Sequence, residues 1–200
     1  MARILSTYVN HLAHLFLAGP TAESLIGNLA GDFVKGPLRD QFTPGIREGI
    51  RQHRAIDVFT DTHPAAGAFR RVLIPEHGHY ARVIADVFFD HFLAADWSRY
   101  STEGLNDFVA RVFATMDGHP LPGRLALVYP YIGSWLLSYR EIDGIRIALT
   151  NLSRRLSRRP HLERATHHLV DSRRELERRF HDFFLDAIAF AKHHHEKQAE

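Results

Sequence analysis

Two stretches of the chain combine carboxylates and imidazoles at the spacing of one helix face. His53, Asp57 and Asp61 recur every four residues in His53-Arg54-Ala55-Ile56-Asp57-Val58-Phe59-Thr60-Asp61, and Asp86 and Asp90 do so in Asp86-Val87-Phe88-Phe89-Asp90-His91-Phe92. Residues four apart lie on one side of an α-helix, so each stretch can offer a divalent cation two ligands at once. His91 is turned by about 100° from Asp90, still within reach of one wide cleft. The second stretch lies inside an apolar run from Val83 to Leu93. Carboxylates buried there are costly unless a cation or a hydrogen-bond network satisfies them. Metal-dependent hydrolysis is therefore the first chemistry to consider. Plainer readings stand beside it: a solvated face with Arg54 paired to Asp57, and Asp90 and His91 capping neighbouring groups.

Two weaker signals accompany these. Asp32 follows Gly27-Asn28-Leu29-Ala30-Gly31, where two glycines one turn apart permit a close approach at a cost in helix stability. His14 lies on an apolar helix, Leu12 to Leu17, as a satisfied core residue or as a ligand.

Composition limits the partners. There is no cysteine, which removes disulfides and thiolate ligands, so any metal must be held by His, Asp or Glu. No run of 18 apolar residues occurs, which excludes a helical membrane span, and no basic-then-apolar leader is evident; the cytoplasm is the default compartment. The formal charge of +2 hides an asymmetry, because residues 145–200 carry an excess of four positive charges. Arginine pairs at Arg154-Arg155, Arg158-Arg159, Arg173-Arg174 and Arg178-Arg179 make that third attractive to an acidic partner. It falls short of the basic stripe of a nucleic-acid binder, so no nucleic acid is expected.

The elements that must position these residues read as helices almost throughout, with apolar residues three and four apart and no alternating strands. Gly19-Pro20 ends a first helix carrying His11 and His14. Gly36-Pro37 ends a second carrying Asn28 and Asp32. Thr43-Pro44 starts the helix of His53, Asp57 and Asp61, and His63-Pro64 stops it. Ile74-Pro75 separates a short segment from the helix of Asp86, Asp90 and His91. Ser101 caps a helix to about Met116, and two more follow around Trp135 and from Ile142 to Leu156. A long amphipathic helix runs from His161 to His193, with the terminal His193-His194-His195 expected to be solvated. The expected architecture is all-α, one helical bundle over residues 1–200.

The order of the motifs is specific where each alone is not. Asn10-His11-Leu12-Ala13-His14 is followed by Gly27-Asn28-Leu29-Ala30-Gly31-Asp32-Phe33-Val34-Lys35-Gly36, then by Gly49-Ile50-Arg51-Gln52-His53-Arg54-Ala55-Ile56-Asp57 and Thr60-Asp61. Asp90-His91-Phe92-Leu93, Trp97, Trp135-Leu136-Leu137-Ser138-Tyr139-Arg140 and Ser157-Arg158-Arg159-Pro160 complete the series. Over about residues 10 to 190 this resembles the acyl carrier protein phosphodiesterase family, also called acyl carrier protein hydrolyase, with residues 1–9 outside as an extension or an upstream start.

The resemblance implies hydrolysis of the phosphodiester that links 4′-phosphopantetheine to a serine of holo-acyl carrier protein. It also implies a fold like the helical HD-type metal phosphohydrolases and a preference for Mn²⁺, with Mg²⁺ or another divalent ion as alternatives. The adjacent pair here is Asp90-His91 rather than His-Asp, so ligand roles cannot be copied in order. The candidate ligands are Asp32, His53, Asp86, Asp90 and His91. Asp57 or Asp61 would orient the attacking water, and His14 would protonate the serine oxygen. Arg154, Arg155, Arg158 and Arg159 would dock the acidic carrier protein. Two other functions fit the residues alone: an HD-type nucleotide phosphohydrolase, and a non-catalytic helical module that binds an acidic protein.

Overall fold

The helix α5, Ala81–Ala95, is the axis around which the others pack, and it is buried on nearly every side. That burial accounts for its unbroken apolar run. Phe88, Phe89 and Phe92 on α5 are fully buried, each contributing about 1.5–3 kcal/mol relative to an exposed side chain. Phe89 meets Phe69 edge-on at 4.8 Å, and Phe92 lies 5.8 Å from Phe180.

The structure, a computed structural model, describes residues 10–156, 158 and 160–199. The remaining helices are α1 (His11–Leu17), α2 (Ala22–Ala30), α3 (Pro44–Thr62), α4 (Pro64–His77), α6 (Leu105–Met116), α7 (Leu125–Ser138), α8 (Ile142–Arg155), α9 (His168–Asp171) and α10 (Arg173–Ala199). No strand occurs among the described residues, so the fold is all-α as expected. No described helix is long and apolar enough to cross a membrane. Residues 1–9 and Arg159 lie outside the described residues.

The closest helix pair is α2 against α3, and glycine makes it possible. A Cβ on Gly27 would stand 2.5 Å from the Ile46 carbonyl oxygen and 2.7 Å from Gly49 Cα, both backbone atoms that cannot swing aside. A Cβ on Gly31 would stand 2.2 Å from the His53 ring. The two glycines thus bring the end of α2 directly onto the histidine face of α3. A buried amide network locks this approach. Asn28 Nδ2 donates to Gln52 Oε1 at 2.9 Å, and Gln52 Nε2 donates to the Leu17 carbonyl at 2.9 Å.

The Thr43 cap behaves as its sequence predicts, its hydroxyl accepting the Ile46 N–H with Pro44 opening the helix. Several other expected boundaries move. Helix α2 ends at Ala30, so Asp32 stands just beyond it rather than on it. Pro75 does not separate two segments but lies in the last turn of α4, exposed, where the carbonyl it leaves unbonded can face water. Helix α6 begins at Leu105 after Gly104, while the Ser101 hydroxyl accepts the Glu103 N–H in the preceding loop. The expected helix from His161 to His193 is three pieces: a 3₁₀ segment Leu162–His167, then α9, then α10 after a bend at Ser172. Of the terminal histidines His193 is exposed as expected, whereas His194 and His195 are docked. His195 Nε2 lies 3.2 Å from the Leu17 carbonyl oxygen and 2.9 Å from Gln52 Nε2, and His194 pairs with Glu48 at 3.5 Å.

Candidate metal centre

Helix α3 presents His53 and Asp57 one turn apart, and α1 brings His14 against them. His53 Nε2 lies 3.4 Å from Asp57 Oδ2, and His14 Nε2 lies 3.3 Å from Asp57 Oδ1. The two imidazoles stack with ring centroids 3.9 Å apart. Asp32, buried just past α2, places Oδ1 3.8 Å from His53 Nε2. Ligand atoms of His14, His53 and Asp57 all lie within 4.8 Å of one another, one of two such groups among the described residues.

The tautomer of His53 is set by its other nitrogen. Nδ1 is 2.8 Å from the Asn28 carbonyl oxygen, which can only accept, so Nδ1 carries the hydrogen. In the neutral ring Nε2 then turns a lone pair toward Asp32 and Asp57. A lone pair facing two carboxylates calls for a positive charge between them, either a proton or a metal ion. A carbonyl-anchored imidazole offering Nε2 is the usual arrangement of a metal-binding histidine. The donor set of imidazole nitrogens and carboxylate oxygens therefore fits a divalent ion.

The electrostatics agree. Burial pushes His53 down, but Asp57, Asp32 and the Asn28 carbonyl outweigh it and hold the ring above its ordinary value. Burial raises Asp57, yet the contacts with His14 and His53 hold it well below the usual carboxylate range. His14 is pushed down to about 4, first by burial and then by His53, so it is neutral at pH 7. On α5, half-buried Asp86 is pushed up to about 8 by burial and by the charges of Asp57, Asp61 and Asp32. These four carboxylates thus form one electrostatic group.

Asp61 continues the face of α3 but is engaged by cations. It pairs with Arg82, and Arg70 Nη1 is 3.7 Å from its Oδ1. Arg70 also donates to the Asp61 carbonyl at 2.8 Å.

Asp90 and His91 stand apart from this group. Asp90 is fully buried, and its two carboxylate oxygens accept the Leu12 and Ala13 N–H groups at 2.9 Å each. It satisfies the opening turn of α1, whose first N–H groups have no partner within the helix. Burial pushes it up to about 7 against the pull of those two donors. His91 Nδ1 donates to the Tyr139 carbonyl at 2.8 Å, tying α5 to the end of α7. Backbone donors thus offset the apolar surroundings of Asp90, while His91 keeps Nε2 buried without a hydrogen-bond partner; neither joins the group of His14, His53 and Asp57.

Two contributors went unassigned in the sequence. His11, three residues before His14, is buried with neither ring nitrogen hydrogen-bonded. It is pushed down to about 3 by burial, then by His14 and His53, which places it beside the same group. The signal was present as two histidines on one face of an apolar helix. The other is Asn28, whose carbonyl fixes the His53 tautomer, a backbone role that no side-chain pattern reveals.

Of the arginines singled out in the sequence, Arg154 and Arg155 are exposed at the end of α8 and Arg158 in the turn that follows. Arg155 borders a groove between α7 and α8 lined by Val87, Trp135, Tyr139, Ile147 and Leu152.

Comparison with known proteins gives one family. The model of the family described as acyl carrier protein phosphodiesterase matches residues 9–187. The chain is 37% identical over 193 residues to the acyl carrier protein phosphodiesterase of Escherichia coli O139:H28 (strain E24377A / ETEC), covering 92% of this chain and 98% of that protein. It is 35% identical over 192 residues to the protein of the same name from Serratia proteamaculans (strain 568), with the same coverage. No solved structure matches it.

Proposed function

Because the chain belongs to the acyl carrier protein phosphodiesterase family, we propose that it hydrolyses the phosphodiester between 4′-phosphopantetheine and the serine of holo-acyl carrier protein, using a divalent cation held by His14, His53 and Asp57. The observation that carries the site is the His53 ring: Nδ1 is committed to the Asn28 carbonyl, and Nε2 faces Asp32 and Asp57. Mn²⁺ is the expected ion and the cytoplasm the expected compartment.

When bound, the cation neutralises phosphoryl oxygens and lowers the pKa of a water. The chain supplies the rest. His14 and His53 are neutral-ring ligands, and Asp57 bridges them. Asp32 adds charge that keeps the site selective for a cation. His14 serves better as a ligand than as the proton donor, since a buried imidazole with a pKa of about 4 holds no proton at neutral pH. Asp86 takes the base role. Burial and the charges of Asp57, Asp61 and Asp32 raise it, and a cation held among those carboxylates would offset the charge part, leaving Asp86 ionised and able to accept a proton near the working pH. It accepts a proton from the attacking water as the new P–O bond forms. It returns that proton to the serine oxygen as the old P–O bond breaks, leaving a serine hydroxyl and 4′-phosphopantetheine. Asp61 holds Arg82 and Arg70 at the rim, where their charge suits a phosphate.

Asp86→Asn should lower kcat by about 10² or more while the protein still binds its metal, the range expected for loss of a general base. Metal content and kcat measured on one sample check this. Loss of the metal along with turnover would make Asp86 a ligand instead.

Docking of the carrier protein is assigned to the end of α8, where Arg154, Arg155 and Arg158 stand beside the apolar groove. Each exposed arginine contributes little alone, roughly 0.2–1 kcal/mol. Replacing Arg154, Arg155, Arg158 and Arg159 together with serine should lower kcat/KM and flatten its salt dependence, with kcat less affected. Unchanged salt dependence would move the docking surface elsewhere.

The function itself is tested by stripping the protein with chelator, restoring single metals and comparing holo-acyl carrier protein with a panel of nucleotide phosphodiesters. Turnover of the carrier protein, restored best by Mn²⁺, is expected. A higher kcat/KM on any nucleotide would favour a nucleotide phosphohydrolase.

A further inference from the structure

A second set of imidazoles converges at the opposite end of α4, sharing no residue with the first. Glu76 and His77 close α4, and His168 opens α9. Ligand atoms of these three side chains lie within 4.8 Å of one another. His167 lies tilted against His168 with centroids 4.0 Å apart, and His77 meets His168 edge-on at 5.4 Å.

Three observations separate this cluster from a chance meeting of surface groups. First, His168 is buried, 6% exposed, and its Nε2 has no hydrogen-bond partner; nor has His77 Nε2. Unpartnered buried polar atoms are rare because each forfeits the bonds it made to water. Second, His167 Nδ1 is 2.8 Å from the Arg164 carbonyl oxygen, so it donates there and leaves Nε2 as the outward nitrogen. This is the same carbonyl anchoring that orients His53. Third, the nitrogens converge on one acceptor: His167 Nε2 and His168 Nε2 lie 3.4 Å and 3.6 Å from the same Glu76 oxygen, Oε1. The site also sits in the last turn of α4, where the helix dipole favours positive charge.

We propose that Glu76, His77 and His168, with His167 as the fourth donor, form a second metal site that binds a zinc-class divalent ion and clamps the end of α4 to α9. Imidazoles with one carboxylate suit zinc in tetrahedral coordination. Bond lengths of about 2.0–2.1 Å require the donors to draw in, and Glu76, being exposed, is free to do so. The site is structural: it ties together two segments that carry no group of the first centre.

The test uses the full chain, stripped with chelator and dialysed against Zn²⁺, with bound zinc counted by mass spectrometry. Wild type should retain one equivalent more than His77→Gln/His168→Gln, which should keep turnover. His53→Ala/Asp57→Asn should lose turnover but retain the second-site zinc. Equal zinc in wild type and His77→Gln/His168→Gln would overturn the proposal and leave an ion pair only. Equal zinc in wild type and His53→Ala/Asp57→Asn would count against the first centre alone. Should the double histidine variant not fold, Glu76→Gln keeps every ring in place. The rise in Tm on adding Zn²⁺ should then be smaller than in wild type, and an undiminished rise would overturn the proposal.

Discussion

His53→Ala should lower kcat/KM on holo-acyl carrier protein by about 10³ or more and remove the activating metal, while the far-UV helical signal stays near wild type. The ring is the hinge of the first centre. It accepts the close approach of Gly31, stacks on His14, and turns Nε2 to both Asp32 and Asp57. Its removal leaves those carboxylates facing each other without a cation between them. Asp57→Asn should fall by a similar amount, since it loses the charge that both histidines share. His91→Gln is the comparison: its ring ties α5 to Tyr139 and lies outside the group of His14, His53 and Asp57, so turnover should survive. Metal content and kcat/KM on each variant read the result. Full turnover in His53→Ala would remove that residue from the site.

Asp90→Ala should be the most destabilising single change near the centre. It orphans two buried N–H groups at the start of α1, each costing about 1–3 kcal/mol. A loss of about 3 kcal/mol corresponds to a drop in Tm of roughly 6–12 °C for a chain of this size. Activity should fall with stability, because α1 carries His11 and His14 to the centre. Asp90→Asn keeps one acceptor oxygen and should lie between Asp90→Ala and wild type in both measurements. A wild-type Tm combined with lost turnover in Asp90→Ala would instead place Asp90 in the chemistry.

The contrast between His53 and Asp90 shows what could be seen in the residues alone. The all-α architecture was legible because apolar spacing and breakers act locally: Thr43-Pro44 and His63-Pro64 bound α3 where expected. Helix periodicity also put His53 and Asp57 together. It could not tell a carboxylate that awaits a cation from one that accepts backbone donors, since the donors to Asp90 lie 77 and 78 residues away. His11 was visible but unassigned, and the role of Asn28 runs through its carbonyl. The cluster at Glu76, His77 and His168 joins residues some 90 positions apart, and the expected break at Pro75 hid the helix end on which two of them sit. The expected single helix from His161 to His193 is broken at the 3₁₀ segment Leu162–His167 and at Ser172, where no Pro or Gly marks the interruption.

In the proposed reaction water, activated beside His14, His53 and Asp57, attacks phosphorus and expels the serine of the carrier protein. Mass spectrometry of holo-acyl carrier protein incubated with this protein and Mn²⁺ in ¹⁸O-water follows the oxygen that breaks the bond. The expected products are apo-acyl carrier protein without label and 4′-phosphopantetheine carrying a single ¹⁸O in its phosphate, with neither formed under chelation. Label on the serine, or holo-acyl carrier protein unchanged with every divalent metal tried, would contradict that reaction.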